Sequence, residues 1–400
     1  MSDKIVQRNP FTSSKKLLIS ALFLSNLVLY IPSTITSLLL IEIGLSFDIE
    51  VGVAGQVNSV NYIASAIMGA IMGVLSVKYG HKSLLLIGLA VLCLSALSCF
   101  TAPNFIILLI CYSLAGISKA TVTPMSNTIV GRYFTLEQRP KVVGYLLAGM
   151  IGASVIGPPI ISYIGDWRLS FLLFALPPSI LTFFLAIIGV PSTQSSNMST
   201  KHKYLEGYRQ VFKNRSAVAC IVGNIFVIIG AVVLGSYGIT FYRQRWLLDT
   251  AFISYLFTGL SLIYLVSFLF GGRIVNKFGR KTLTVVNAFL YGVLILSFMN
   301  VPNLVLSLIL WLAAGLVGSL RLQAYSNLIL EQIPEYRGTM MSLNQLSWDL
   351  SWGMGNVLAG LILIAFDYEY LSLFGILIII GAAIFHVFTT DPTKTQVNNT

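Results

Sequence analysis

Three ionisable side chains, Lys119, Arg321 and Asp349, fall deep inside long apolar stretches of this 400-residue chain. Charge is costly away from water, so each is a functional candidate by default. Lys119 and Arg321 can hold a carboxylate or phosphate through charge-assisted hydrogen bonds. Asp349 is the one carboxylate well inside such a stretch, since Glu42 and Glu331 lie at stretch ends, and is therefore the candidate to carry a proton. It would load the proton when wet and unpaired, and release it when Arg321 or a solute restores its partner. The purely structural alternative is an Arg321–Asp349 ion pair beside a Lys119 that snorkels. Ser342, Gln345, Asp349, Trp352 and Asn356 follow at steps of 3, 4, 3 and 4, one face of a helix, with Trp348 alongside. A polar stripe gains nothing from lipid, so this one is expected to face a wet cavity. Weaker stripes are Asn26, Tyr30 and Ser33, and Asn58, Asn61 and Ser65, whose alternative role is hydrogen bonding between helices.

The elements that position these groups follow from composition. With 56% hydrophobic and 10% charged residues, the chain cannot cover a water-facing surface with polar groups and reads as an integral membrane protein. Runs of about 20 apolar residues cross as helices. The expected spans are 17–40, 51–76, 83–102, 104–130, 141–164, 168–190, 216–241, 251–275, 281–300, 303–330, 338–366 and 369–389, twelve in all. The first run is too long for a signal peptide and lacks a small-residue cleavage site, so it is expected to stay as a helix. Counting about 1.5 Å per residue from span ends near 131, 331 and 338 puts Lys119, Arg321 and Asp349 roughly 15–18 Å deep, near the midplane. Cys93, Cys99, Cys111 and Cys220 all lie inside spans, without metal-ligand or redox spacing.

The net charge of +11 is a topology signal rather than a nucleic-acid footprint. Lys4, Arg8, Lys15, Lys16, Lys78, Lys82, Arg132, Arg139, Lys141, Lys201, Lys203, Arg209, Lys213, Arg215, Arg273, Lys277, Arg280 and Lys281 share one face if the chain crosses twelve times. The other face holds Arg168, Arg243 and Arg245 beside Glu42, Asp48, Glu50, Asp166, Asp249, Asp367 and Glu369. The positive-inside rule then makes both termini cytoplasmic.

The chain also repeats itself. Lys78-Tyr79-Gly80-His81-Lys82 returns as Lys277-Phe278-Gly279-Arg280-Lys281, 277 minus 78 or 199 residues later. At the same offset Gly73 meets Gly272, Pro103-Asn104 meets Pro302-Asn303, and Ala115-Gly116 meets Ala314-Gly315; within one residue of it Arg139 meets Arg337 and Gly157 meets Gly355. A six-helix unit is therefore duplicated in parallel orientation. The expected organisation is an N-terminal bundle 1–190, a polar cytoplasmic linker 191–215 and a C-terminal bundle 216–400.

These motifs resemble the major facilitator superfamily over essentially the whole chain. Its loop signature between helices two and three, Gly-x-Leu-Ala-Asp-Arg-x-Gly-Arg-Lys, is similar to Gly73 through Lys82 and to Gly272 through Lys281, in register. Glu137-Gln138-Arg139, Gly157-Pro158 and Asp166-Trp167-Arg168 with Phe171 resemble the drug and sugar efflux branch. Departures are Val77 and Asn276 at the signature's acidic position, and Tyr112 where the proton antiporters carry an arginine. The resemblance implies twelve helices in two pseudo-symmetric bundles and a small-solute exporter of the plasma membrane, a proton antiporter by its branch. The basic turns, Gly73, Lys78, Gly80, Lys82, Gly272, Lys277, Gly279, Arg280 and Lys281, are the expected gating elements. They would bind helix carbonyl ends and lipid phosphates, holding the cytoplasmic side shut in the outward-open state.

No clustered His, paired carboxylates or phosphate loop is present, so an enzyme, a metal or other cofactor and a nucleotide-driven pump are not expected. A sensor that kept the fold would carry long soluble appendages, and none is seen. The expectation is a secondary transporter, acting as a monomer in the bilayer, with Lys119, Arg321, Asn26, Tyr30, Asn58, Asn61, Gln345, Trp348 and Trp352 binding solute and Asp349 coupling protons. Two cations against one carboxylate favour an organic anion, while aromatic and amide groups suit an amphipathic compound. Sugar or organic-anion uptake or exchange without protons is the alternative.

Overall fold

A computed structural model describes residues 15–135, 137–191 and 201–391. Apolar runs leave the helix as the local solution, because in lipid each backbone N–H must find its acceptor in the same segment. Twelve long helices result among the described residues. The first six are α1 Lys15–Leu38, α2 Gln56–Lys78, α3 His81–Thr101, α4 Phe105–Tyr133, α5 Arg139–Ile164 and α6 Trp167–Gly189. The second six are α7 Arg215–Arg245, α8 Thr250–Phe278, α9 Arg280–Phe298, α10 Leu304–Leu330, α11 Arg337–Ala365 and α12 Tyr368–Phe388. Eleven are long and apolar enough to cross a membrane over the described residues alone; α2, 23 residues long, opens with polar Gln56, Asn58, Ser59 and Asn61. Lys4, Arg8 and positions 192–200 lie outside the described residues, as do the side chains of Val77, Lys78 and Asn276.

The repeated dipeptides explain themselves at helix ends. Asn104 Oδ1 accepts from the Ile107 amide at 2.9 Å and Asn303 Oδ1 from the Leu306 amide at 3.0 Å, so both are N-caps, of α4 and α10. Arg139 closes the carbonyl end of α4, its Nη2 donating to Gly131 O at 2.5 Å. Arg337 does the same for α10 through Leu330 O at 3.2 Å. The two basic turns are not equivalent in backbone: Gly279 has φ 88°, which a side chain would strain, whereas Gly80 has φ −64°.

The halves repeat in packing as well. Within the first, α1 packs on α5 and α6, α4 on α2 and α3, and α3 on α6. Adding six to each number gives the pairings of the second half: α7 on α11 and α12, α10 on α8 and α9, α9 on α12. Between halves, α2 lies on α11 and α5 on α8, the same contact made twice under the pseudo-twofold axis.

This seam is shut on one face of the membrane and open on the other. On the face away from the basic turns, a Cβ on Gly52 or on Gly360 would strike the other's carbonyl, and Gly353 sits against Ile63. Arg243 of α7 donates to both oxygens of Glu42, at 2.5 and 2.9 Å, and to Leu38 O at 3.1 Å. Thr258 of α8 donates to Val155 O of α5 at 3.2 Å. Toward the basic face the same helix stripes separate. Gly69 and Gly338 look into open space, and Ser342 and Gln345 are exposed.

Candidate functional site

The seam meets the deepest charge of α11 where it begins to open. Asp349 Oδ1 pairs with Lys119 Nζ of α4 at 3.0 Å, an ion pair between halves with both side chains under a tenth exposed. Its Oδ2 accepts from Ser65 of α2 at 2.9 Å and from Gln345, one turn back on α11, at 3.2 Å. Three donors from three helices thus satisfy one buried carboxylate, as burial demands. Lys119 Nζ also lies 4.0 Å from the centroid of the Tyr62 ring, within cation–π range. Tyr62 stacks on Trp352 with ring centroids 5.4 Å apart and 19° between planes. Trp352 is seated against Gly235 of α7, whose missing side chain leaves room for the indole. Tyr30 on α1 and Trp348, the residue before Asp349 on α11, are half-buried.

Other expected solute-binding residues lie elsewhere. Asn26 donates to Leu22 O of its own helix at 2.9 Å. Asn58 accepts from Thr36 at 2.8 Å, and Asn61 donates to Tyr112 O at 3.3 Å, both within the first half. The Tyr112 hydroxyl, at the antiporters' arginine position, is 3.1 Å from Thr36 Oγ1.

The expected partnership of Arg321 with Asp349 is not formed, nor does Lys119 snorkel. Arg321 donates to Asn224 Oδ1 of α7 at 2.8 Å, inside the second half. The reason is rotational. Lys119 aligns with Gly318, and three residues along a helix is a turn less about 60°, enough to swing Arg321 off the seam and into its own bundle. Tyr62, Asn224 and the ring partners of Arg321 escaped sequence reasoning, because a single tyrosine or asparagine in an apolar helix carries no sign of what it faces.

The basic turns make their contacts within one half. Lys82 Nζ donates to Ile187 O, closing the carbonyl end of α6, at 2.6 Å. Arg280 lies 3.7 Å from Glu331, which also pairs with Arg337 at 3.0 Å. Gly73 lies inside α2 and Gly80 in the turn after it; Gly272 faces Gln323 of α10, and Lys277 is exposed, 5.5 Å from the Phe278 ring.

Two parallel six-helix bundles, joined along a seam open on one face and holding a buried inter-bundle ion pair, define a membrane transporter of the two-bundle kind. The family model described as the Major Facilitator Superfamily matches residues 22–245 and again 239–400. The chain belongs to that superfamily. Among curated relatives, the uncharacterized MFS-type transporter YceJ of Bacillus subtilis is 23% identical over 78% of this chain and 81% of its own. Quinolone resistance protein NorB of Staphylococcus aureus is 23% identical over 60% of this chain and 53% of its own. Among solved structures, a bacterial homologue of the human lysosomal transporter Spinster, inward-facing and occupied, superposes with TM-score 0.82 at 16% identity, over 97% of this chain and 98% of that one. A D-xylose–proton symporter superposes with TM-score 0.77 at 15% identity, over 94% and 98%.

Proposed function

We propose that the chain is a proton-coupled secondary transporter that exports a small amphipathic solute by alternating access. The observation that carries this reading is the Lys119–Asp349 pair, which ties the two halves together at mid-depth where the open side of the seam ends. For the seam to open on the other face this pair must separate, and a separated carboxylate is free to take a proton. The proton moves onto Asp349, Lys119 keeps its charge, and the solute can then hold Lys119 while Tyr62, Trp352, Gln345, Trp348 and Tyr30 line its apolar body. Because Arg321 is turned away, one cation faces one carboxylate at the seam. That balance favours a neutral or zwitterionic amphipathic solute over a simple organic anion.

In this reading the termini are cytoplasmic, so the seam is open inward, in the plasma membrane, and one chain suffices for transport. Halves 1–190 and 216–400 rock as units, and the turns at Lys78 and Lys277 meet when the cytoplasmic side closes. Export rests on the resemblance to the efflux branch and on NorB being a quinolone resistance protein. The second reading, exchange or uptake without protons, draws on an Asp349 already satisfied by Lys119, Ser65 and Gln345. Proteoliposomes under an imposed pH gradient, assayed with a solute panel, separate the two: accumulation that tracks the gradient supports coupling, and exchange indifferent to it supports the second. A cysteine at position 205 labelled from outside intact cells would reverse the orientation.

A further inference from the structure

We propose that the C-terminal bundle holds a small monovalent anion, of halide or formate size, at Arg321, separate from the solute site at the seam. Arginine keeps its charge at any working pH, and Arg321 is 3% exposed with no carboxylate in ion-pairing distance among the described residues. One Nη1 bond to Asn224 is its hydrogen bond, and Nε has no acceptor. Asn224 Nδ2, on the residue that Arg321 grips, is buried without a partner, and so is Asn287 Nδ2 on α9. All three orphans are donors. Buried donors left unpaired are costly, and a set composed only of donors around a fixed positive charge is matched by an acceptor with negative charge.

Comparison of the two halves shows that this cluster belongs to only one of them. At the offset of 199, Arg321 falls on Val122 (321 − 199) and Asn287 on Gly88 (287 − 199). In the first half those two positions touch, since a Cβ on Gly88 would lie 2.6 Å from Val122 Cγ2. Tyr291 of α9 meets Gly318 of α10, so in this antiparallel pair Asn287, one turn back on α9, is placed opposite Arg321, one turn on along α10. Asn224, Tyr291, Tyr325 and Tyr264 likewise fall on Ser25, Leu92, Ser126 and Ser65. Where one half has small or apolar residues, the other has an arginine, two asparagines and three tyrosines. Gly318, one turn from Arg321, admits them: its missing Cβ would lie 3.3 Å from the Tyr291 ring and 3.5 Å from the Tyr264 hydroxyl. Tyr325 gives its ring to Arg321 at 5.6 Å. Tyr264 and Tyr291 both meet Gly318, one turn from Arg321, and their hydroxyls are further donors for an anion.

The test is the thermal unfolding midpoint of the purified full-length protein in nanodiscs, in sodium chloride or formate against gluconate at equal ionic strength. A saturable rise with chloride or formate is expected in the wild type and in Lys119→Met, and is expected to vanish in Arg321→Gln. Asn287→Gly restores the first-half residue, keeps the arginine, and is expected to weaken the half-saturating concentration several-fold; it serves if Arg321→Gln does not fold. A midpoint indifferent to the anion would mean water fills the site and would overturn the proposal. So would a rise unchanged by Asn287→Gly, or one lost in Lys119→Met, which would place the anion at the seam. None of these outcomes depends on transport.

Discussion

Lys119 and Arg321 both lie buried in the fourth helix of their half, and their charges are answered differently. Lys119 meets a carboxylate from the opposite half, with Ser65 and Gln345 completing the shell around that carboxylate. Arg321 meets an amide oxygen and the Tyr325 ring, both of its own half. A contact across the seam must be remade each time the halves rock, so its free energy enters the transport cycle. A contact inside one bundle rides with it and enters only stability. Removing each side chain in turn should therefore separate cycle from scaffold.

The largest effect is expected at Asp349. Asp349→Asn keeps volume and one acceptor oxygen, but it cannot exchange a proton and leaves Lys119 without its counter-charge. Solute exchange is expected to persist while accumulation driven by a pH gradient is lost. Wild-type accumulation by this variant would remove Asp349 from coupling and favour exchange. Asp349→Leu, which strands the buried cation, is expected to cost about 3–5 kcal/mol of stability.

Next comes the coupling between sites. Lys119→Met and Asp349→Leu together are expected to cost less than their sum by about 1–3 kcal/mol, because each single change leaves a buried charge alone. Arg321→Met with Asp349→Leu is expected to add within about 0.5 kcal/mol. Denaturation of the three single and two double variants in one detergent decides it. Strong coupling of Arg321 to Asp349 would mean that the two meet in another state of the cycle.

Much of this was legible in the sequence, and what was not has a geometric cause. Span lengths and the 199-residue repeat, in which Pro103-Asn104 returns as Pro302-Asn303, are written directly in the chain, so the two-bundle fold could be read from them. Asp349 and Lys119 stood out because an apolar helix carries charge only at a cost. Their pairing did not, since the partners are 230 residues apart and the choice between Lys119 and Arg321 rests on about 60° of helix rotation. Asn58 and Asn61 share a stripe with Ser65, yet only Ser65 reaches Asp349. Whether an amide faces the seam or its own bundle depends on which helix lies opposite.

A smaller effect is expected where backbones touch. Gly52 and Gly360 close the seam on the acidic face, and a Cβ on either meets the other's carbonyl. Gly360→Ala is expected to cost about 1–3 kcal/mol in that closed state alone, raising the population open on the acidic face. Spin-label distances across the seam between α2 and α11 would register the shift; an unchanged distribution would mean the helices part without strain.

The smallest is expected at the latch on the same face. Arg243 grips Glu42 with two hydrogen bonds and is 12% exposed on its side chain, against 24% for Glu42. Water reaches the pair, so its contribution lies between that of an exposed ion pair and a buried one, about 1 kcal/mol. Glu42→Gln keeps one acceptor oxygen and removes the charge, leaving Arg243 still bonded to Leu38 O. Since 1.4 kcal/mol is a tenfold change in an equilibrium, the open-to-closed ratio on the acidic face should rise roughly five-fold while unfolding stability barely moves. The pair is charge-dependent and reached by water, so added salt should reproduce part of the shift in the wild type and none in Glu42→Gln. A salt response that survives the substitution would assign the sensitivity to Arg245 and Glu369, whose pair on that face is more exposed.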